Sequence, residues 1–558
     1  MVGVPEKGGI IRSPLIQVKP ERMSQQQHPA TGDEPDSPRR TRLLHSTAVV
    51  SSMTFISRIL GLAREVVFAN LFGAGPLMDA FVFANRLPNM LRRFFAEGAF
   101  AQAFVPVFAE YRETRKLGDV RALIARVSGT LATVLFGISL LGVIAAPVLV
   151  MIFGTGFLTQ DGPAELATSM LRFTFPYIFF ISLTAMAGSV LNTYGRFAVP
   201  AVTPVLLNIV LIGAAIWLSP KFPEDQRTLA LAIGVFIAGI VQLAFQMPFL
   251  IRAGLLPRPR LGFSDAAVRR IMLLMVPVLF ASSVAQINIL FDTWIASFLG
   301  DGRITWLYFA DRLVEFPLGV FGIAIATVIL PNLSAHFARE SSEQFSATID
   351  WALRGVLLIG LPAAAALVVL AAPMVTTVYF HGEYLQADVT MTALSLQAFG
   401  PGLIGFILVK VLVPAYYSRQ DMKTPVRIAV RALLLGMVLN VIFVLALLQT
   451  GWLPAHVGLA VATSLSSLAN ATMLFRGLIA AGVYQARPGW RAMFIRVIAA
   501  TAVMVALLLW LLPPAADWLQ MAIAARIYWL AAAVASGAAS YFIAGLLLGL
   551  RPAQFRFN

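Results

Sequence analysis

The chain has 558 residues, of which 59% are hydrophobic and only 12% are charged, and its formal net charge is +15 at pH 7. Soluble domains average about one half apolar and about one quarter charged residues, so this composition excludes an ordinary soluble protein. The sequence contains no cysteine and only five dispersed histidines, so it predicts no disulfide, no metal site and no cysteine nucleophile. Most basic residues lie in short loops, which indicates membrane topology rather than nucleic-acid binding.

The apolar segments begin only after a polar N-terminal stretch. Residues 1–42 are rich in Pro, Gly, Gln and charge, which predicts a disordered tail. The rest of the chain contains about fourteen apolar runs, each about 20 residues or longer and so able to cross a bilayer core of about 30 Å. We therefore predict an all-α polytopic membrane protein with spans near residues 45–72, 77–110, 122–153, 168–193, 199–219, 228–251, 268–299, 305–333, 346–372, 389–417, 425–449, 456–484, 490–513 and 524–550.

Basic residues are distributed unequally between alternate loops. The loops after predicted spans 2, 6 and 10 are rich in Arg and Lys, whereas the loops after spans 3, 9 and 11 contain neither. Because basic loops stay in the cytoplasm, this pattern predicts a multi-pass membrane protein with both termini cytoplasmic. The disordered tail is then also cytoplasmic.

Two short motifs recur six spans apart. The string F-A-N-R-L begins at Phe83 in span 2, and F-A-D-R-L begins at Phe309 in span 8; likewise, Y-x-R with a nearby proline begins at Tyr194 and again at Tyr417. Chance similarity between apolar helices is the alternative for either motif alone. The common offset favours two pseudo-symmetric six-helix lobes with a cavity between them, an architecture suited to alternating access. We place the lobes at residues 43–253 and 254–486, and spans 13 and 14 with the C-terminal tail at residues 487–558.

Spans 1, 2 and 8 carry charged residues at membrane depth. Each such residue costs at least about 2.5 kcal/mol on insertion scales, so it normally faces a cavity or a partner. They are Arg58, Arg64, Glu65, Asp79, Arg86, Arg92, Arg93, Glu97, Asp311, Arg312 and Glu315. Structural ion pairs between helices are one interpretation, and it suits Asp79, Glu97 and Asp311 best. Because the arginines outnumber the acids, a cavity lined by arginine is the other interpretation.

Arg64, Arg92 and Arg312 are the foremost cavity candidates, because the acids beside them offer no exclusive pairing. The planar guanidinium of arginine binds phosphate or carboxylate through two hydrogen bonds and keeps its charge, so these residues predict an anionic substrate such as a diphosphate. The sequence contains no G-x-x-x-x-G-K-[ST] loop, which argues against ATP hydrolysis by this chain.

Asp292 is a lone acid within predicted span 7. It is a candidate ligand for a coupling monovalent cation, Na⁺ or H⁺, with Asn440 and Thr463 on later spans as polar neighbours. A structural acid satisfied by hydrogen bonds is the alternative. Apart from such a cation, the sequence predicts no cofactor.

From about Leu43 to about Arg551, the chain resembles the MurJ (MviN) family of lipid II flippases, within the MOP transporter superfamily. The most specific strings are SSMTFISRILGLAREVVFANLFGAGPLMDAF and RLPNMLRRFFAEGAFAQAFVPVFAEYRE, followed by YFADRLVEFPLGVFGIAIATVILPNLS and VLVPAYYSRQDMKTPV. The motifs of the family place substrate-binding residues at Arg58, Arg64, Arg92, Arg93 and Arg312, with Glu315 beside the last. Glu65 departs from the aspartate common in relatives, which leaves its pairing open.

The resemblance implies a fourteen-helix flippase of the bacterial inner (cytoplasmic) membrane. It is expected to move lipid II, an undecaprenyl-diphosphate-linked disaccharide pentapeptide, from the cytoplasmic to the periplasmic leaflet by alternating access. It also implies a central cationic cavity for the diphosphate headgroup, and a groove at spans 13 and 14 for the lipid tail. Membrane lipids and the proteins of cell-wall synthesis and division are the other expected partners.

Three alternatives remain at this point. One is another carrier of the same superfamily, either a polysaccharide-lipid flippase or a cation-coupled drug antiporter. The second is a membrane enzyme acting on polyprenyl diphosphates, for which the sequence lacks an Asp-rich metal-binding motif. The third is a scaffold protein of cell division.

Overall fold

The computed structural model describes residues 38–93, 99–159, 163–256, 258–319 and 323–550, which are helical apart from short connecting segments, as predicted for an all-α protein. The helices of the first half are α1 (Pro38–Phe72), α2 (Pro76–Arg92), α3 (Ala99–Thr114), α4 (Leu117–Ile144), α5 (Ala146–Phe153), α6 (Gly156–Thr159), α7 (Ala164–Thr174), α8 (Tyr177–Thr193), α9 (Ala198–Gly213) and α10 (Leu229–Arg252). Those of the second half are α11 (Ala266–Ser297), α12 (Arg303–Pro317), α13 (Ile323–Ala338), α14 (Ser342–Val369), α15 (Ala371–Tyr379), α16 (Gln386–Phe399), α17 (Gly402–Tyr417), α18 (Lys423–Thr450), α19 (Ala455–Ala480), α20 (Trp490–Leu511), α21 (Ala515–Gln520) and α22 (Ile523–Leu547).

Nine helical segments of the described residues are long and apolar enough to cross a membrane, and the pair α16 and α17, bent by 44°, makes a tenth if it counts as one span. These segments correspond to predicted spans 3 to 6 and 9 to 14. Predicted spans 1, 2, 7 and 8 fall on α1, on α2 with α3, on α11, and on α12 with α13. The count of fourteen is therefore not confirmed. The four helical regions outside the ten segments also carry most of the charged residues discussed below; Lys410, on α17, is an exception.

The chain divides into two compact units, residues 1–48 and residues 49–558. Most of the predicted disordered tail lies outside the described residues, but its end, residues 38–42, belongs to α1 and is helical. Pro38 occupies the first helical position, where its missing N–H would have no intrahelical partner in any case, so proline is compatible with a helix start there.

Helix packing follows the two predicted halves. In the first half, α10 packs with α7, α8 and α9, and in the second half, α19 packs with α16, α17 and α18. The halves meet where α2 packs with α12 and where α3 packs with α11. The helices α20 and α22 pack on each other, and α20 also packs on α14. This grouping supports two lobes plus a C-terminal helix pair, while the lobe limits at residues 253 and 486 stay a prediction.

Candidate functional site

A cavity of about 470 Å³ lies between the two halves, bordered by α2 on one side and by α11, α12, α17, α18 and α19 on the other. Among its lining residues are four cationic and three acidic side chains, namely Arg86, Arg93, Arg312, Lys410, Asp292, Asp311 and Glu315. The cavity therefore carries a small positive excess within the membrane-spanning region, where a charge facing lipid would be costly. This arrangement suits an anionic ligand.

Arg312 faces the cavity but is already engaged by acids of its own helix. One terminal nitrogen donates to Glu315 at 2.6 Å and the other to Asp311 at 3.4 Å, and the guanidinium lies 5.1 Å from the ring centre of Tyr308. Both acids are partly exposed, with 43% and 48% of their side chains accessible, so a stronger anion in the cavity can displace them. The Nε atom of Arg312 is buried and has no partner among the described residues.

Arg64 is not among the cavity-lining residues, although it was one of the three arginines that the sequence predicted to line a substrate cavity. It donates to Asn208 at 3.0 Å and forms a short ion pair with Glu65, whose side chain is only 3% exposed. Glu65 also accepts from the hydroxyl of Tyr308 at 2.9 Å. Because the ring of Tyr308 lies beneath Arg312, Arg64 is connected to the cavity through this tyrosine.

The remaining arginine candidates separate into two kinds. Arg93 lines the cavity, as already noted, whereas Arg58 and Arg92 are not among the lining residues. The Nε atom of Arg92 donates to Asn89 at 2.7 Å, and Asn89 does line the cavity. The guanidinium of Arg58 packs against Gly319, where an added Cβ would lie only 2.2 Å from it. Glu97 lies outside the described residues.

Asp79 joins two helices through hydrogen bonds from neutral donors, rather than through the ion pair that the sequence suggested for it. It is 2% exposed and accepts from the backbone N–H of Gly302 at 2.7 Å, and from the N–H and hydroxyl of Thr305 at 2.7 and 2.6 Å. These N–H groups belong to the N-terminal end of α12, where helix donors lack intrahelical acceptors. Asp79 therefore joins the start of α2 to the start of α12, one helix from each half.

The fold brings together the three residues of the predicted cation site. Asp292 accepts from Asn440 at 2.6 Å and from Thr463 at 3.3 Å, and also from Asn288 at 3.1 Å, one helical turn before it. The side-chain oxygens of Asn288 and Asn440 are buried and have no partner among the described residues. In this arrangement the amide N–H groups and the threonine hydroxyl face the carboxylate, so Asp292 is satisfied by three hydrogen bonds, and the two amide oxygens lie on the far side of their amide groups. In the described part of the chain, no group of three or more His, Cys, Asp or Glu residues could hold a metal ion.

Three further residues of the site were missed by sequence reasoning. Tyr308 and Lys410 line the cavity, and Asn288 contacts Asp292. Lys410 could have been found, because it is a lone cation in the apolar string ILVKVLVP of predicted span 10. Asn288 also carried a signal, since residues four apart share a helix face. Nothing in the sequence distinguishes Tyr308 from other aromatic residues of the spans.

A helical membrane protein whose two halves enclose a charged cavity has the architecture of a membrane transporter. The family model named Lipid II flippase MurJ matches residues 68–528. A protein of Vibrio cholerae serotype O1, named "Probable lipid II flippase MurJ", is 49% identical over 517 residues, which cover 91% of this chain and 97% of that protein. The "Lipid II flippase MurJ" of Burkholderia cenocepacia is 39% identical over 521 residues, covering 92% of this chain and 99% of that protein. The chain belongs to the MurJ family of lipid II flippases.

One solved structure agrees with this assignment, and a second shares the fold. A structure described as "Lipid II flippase MurJ, inward closed conformation" superposes with a TM-score of 0.73 at 25% identity, covering 90% of this chain and 98% of that chain. A multidrug resistance MATE family transporter of the MOP superfamily, in an inward-facing conformation, superposes with a TM-score of 0.64 at 14% identity, over 78% of this chain and 98% of that chain. The second likeness concerns the fold alone, so the alternative of a drug antiporter is not favoured.

Proposed function

We propose that this chain moves lipid II from the cytoplasmic to the periplasmic leaflet of the bacterial inner membrane, without chemically changing it. The observation that carries the proposal is the cavity between the halves, which Arg312, Arg86, Arg93 and Lys410 line. Guanidinium groups bind a diphosphate through paired, charge-assisted hydrogen bonds. In the absence of substrate, Asp311 and Glu315 satisfy Arg312, and the diphosphate replaces them.

Arg312 provides the test of substrate binding. Arg312→Ala should abolish lipid II flipping in proteoliposomes, and Arg312→Lys should retain part of it, because lysine keeps the charge but loses the two-pronged geometry. Arg258→Ala, which removes an exposed arginine from the loop between α10 and α11, is the matched control and should flip normally. A folded Arg312→Ala protein that binds and flips lipid II like the wild type would refute the proposed role.

Alternating access requires connections between the halves that form and break. Asp79 joins α2 to α12, as described above, and Glu110 near the end of α3 accepts from Arg270 near the start of α11 at 2.9 Å. Predicted span 2 contains both acids, so they lie near its opposite ends. We propose that these two connections close the cavity at its periplasmic and cytoplasmic ends, respectively.

This orientation follows from the proposed topology, in which both termini are cytoplasmic. It is supported by Arg112, Arg115 and Lys116, which come after Glu110 and near the end of span 2, where the positive-inside rule expects cytoplasmic residues. Reporter fusions at both termini should be active only in cytoplasmic formats. A periplasmic signal from either terminus would contradict the orientation.

We further propose that a monovalent cation at Asp292 drives the cycle. Asp292 has polar side chains from α11, α18 and α19 around it, and the amide oxygens of Asn288 and Asn440 have no partner among the described residues, so rotation of these amides would supply oxygen ligands for Na⁺. Protonation of Asp292 is the alternative, and Na⁺ binding distinguishes the two. Asp292→Asn should abolish binding of radioactive ²²Na⁺ to the purified protein. Unchanged ²²Na⁺ binding in this variant would exclude Asp292 as a ligand.

The remaining expectations concern the lipid tail and other partners. We propose that the helices α20 and α22, which pack on each other and on α14, form the groove for the polyprenyl tail. Their outward faces carry exposed apolar side chains, among them Trp510, Phe542 and Leu547. The proposed role in cell-wall synthesis also implies contact with membrane lipids and with proteins of cell-wall synthesis and division.

A further inference from the structure

Arg86 reaches from one half of the molecule to the other. It lies on α2, and its guanidinium donates a short hydrogen bond to the hydroxyl of Thr293 on α11. Thr293 is 1% exposed, and its own hydroxyl donates to the carbonyl of Ile289 at 2.6 Å, so its oxygen is oriented to accept from Arg86. Thr293 directly follows Asp292 in the sequence. A cation from the first half is therefore fixed beside the acid of the second half.

Asp292 makes no direct hydrogen bond with a cation among the described residues. Its three hydrogen-bond donors, the amides of Asn288 and Asn440 and the hydroxyl of Thr463, are all neutral. Arg86 lies within electrostatic range of Asp292, lines the same cavity, and makes no ion pair among the described residues. A nearby cation stabilises the charged form of a partly dehydrated carboxylate, and Arg86 supplies one without bonding to Asp292 directly.

Arg86 can exchange its hydrogen bond with Thr293 for a bond with another acceptor. Its acceptor is a neutral hydroxyl, and hydrogen bonds to a neutral partner are weaker than those between two charged groups. Arg86 also lies within electrostatic range of Asp311, an acid that pairs with Arg312 in the substrate cavity. A positive charge arriving at Asp292 would repel Arg86 toward the part of the cavity where a diphosphate would lie.

We propose that Arg86 is a built-in competitor of the coupling cation, and that it transmits occupancy of the Asp292 site to the substrate cavity. Without the cation, Arg86 stays at Thr293 and balances the charge of Asp292. When the cation binds, Arg86 leaves Thr293 and becomes available to the anionic headgroup. This inference rests on the cation site proposed above and adds the coupling residue to it.

The direct test measures ²²Na⁺ binding to purified protein in nanodiscs. Arg86→Gln should bind Na⁺ at least about tenfold more tightly than the wild type. The reason is that the repulsion between two unit charges a few ångströms apart in a protein interior exceeds about 1.4 kcal/mol, the free energy that corresponds to a tenfold change in affinity. Arg86→Lys, which keeps the charge, should stay near the wild type. Arg93→Gln is the matched control, since it removes a cavity-lining arginine but no bond to Thr293, and its Na⁺ affinity should change less than that of Arg86→Gln.

A second measurement tests the coupling itself. Binding of lipid II to the wild type should tighten as Na⁺ is added, whereas binding to Arg86→Gln should be weaker and independent of Na⁺. A purely structural role for Arg86 would lower thermal stability without raising Na⁺ affinity.

These measurements distinguish a failure of the competitor role of Arg86 from a failure of the Asp292 cation site. If the wild type binds Na⁺, Asp292→Asn does not, and Arg86→Gln binds no more tightly than the wild type, the cation site stands and the competitor role is overturned. If neither the wild type nor Arg86→Gln binds Na⁺, both proposals fall. Tighter binding by Arg86→Gln together with unchanged, Na⁺-dependent lipid II binding would overturn the transmission to the substrate cavity.

Discussion

The network around Arg64 allows a structural role to be distinguished from a substrate-binding role. Arg64 pairs with Glu65 in a site where the two side chains are only 17% and 3% exposed. Replacing Arg64 with methionine keeps much of the apolar volume but leaves the carboxylate of Glu65 buried without its cation. Removing one partner of a buried ion pair destabilises a protein by about 3 to 5 kcal/mol, so we expect a marked loss of thermal stability.

The double variant Arg64→Met with Glu65→Gln separates the two effects. It removes both charges and leaves a neutral side chain that still accepts from the hydroxyl of Tyr308, so about 2 kcal/mol or more of the lost stability should return. If Arg64 acts on the substrate only through this network, the double variant should also regain part of its lipid II binding. Direct contact between Arg64 and the diphosphate predicts that binding stays lost in both variants.

The assay compares thermal unfolding in detergent with lipid II binding on the same preparations, at equal membrane abundance. Arg312→Ala serves as the reference for loss of binding with little loss of stability, since Asp311 and Glu315 are partly exposed and can be hydrated after the change. An Arg64→Met protein as stable as the wild type would refute the reasoning about the buried pair. A double variant no more stable than Arg64→Met would refute it equally.

Three further changes test separate parts of the structure. Asp79→Asn should lower the melting temperature, since it weakens charge-assisted hydrogen bonds worth about 1.5 to 3 kcal/mol each; an unchanged melting curve would contradict this. Gly156→Ala should reduce membrane abundance, because its Cβ would lie 2.0 Å from the carbonyl oxygen of Ser297, and normal abundance would mean that α6 shifts freely. Deleting residues 2–37, which precede α1, should leave complementation of a depleted strain intact, whereas lost growth at normal protein levels would reveal a function of the tail.

Much of the fold could be predicted from the sequence because bilayer thickness limits helix length, so apolar runs mark most spans directly. The same criterion is weakest for spans 1, 2, 7 and 8, where charged and polar residues interrupt the apolar pattern. The broken helices also escaped prediction. The bend between α16 and α17, for instance, lies at Pro401 and its flanking glycines, inside one long apolar run.

The candidate site was predictable in its residue types but not in its pairings. A lone acid in span 7 and polar residues on later spans were enough to group Asp292, Asn440 and Thr463, which the structure places in contact. By contrast, the partners of Asp79 are mainly backbone N–H groups more than 200 positions away, and no side-chain pattern encodes them. Arg64 and Arg312 have similar sequence surroundings, each beside an acid, yet only Arg312 lines the cavity.

The two connections between the halves differ in strength, and this difference bears on the resting state of the transporter. Asp79 is buried and accepts three hydrogen bonds, each of the charge-assisted kind that contributes about 1.5 to 3 kcal/mol. The pair of Arg270 and Glu110 is 58% and 51% exposed, and such surface pairs contribute about 1 kcal/mol or less. The end that the proposed topology places at the periplasm is therefore held more firmly than the cytoplasmic end. If the proposed topology holds, these two contacts predict a transporter that rests with its periplasmic end closed and opens more readily toward the cytoplasm, the side from which the proposed transport takes its substrate.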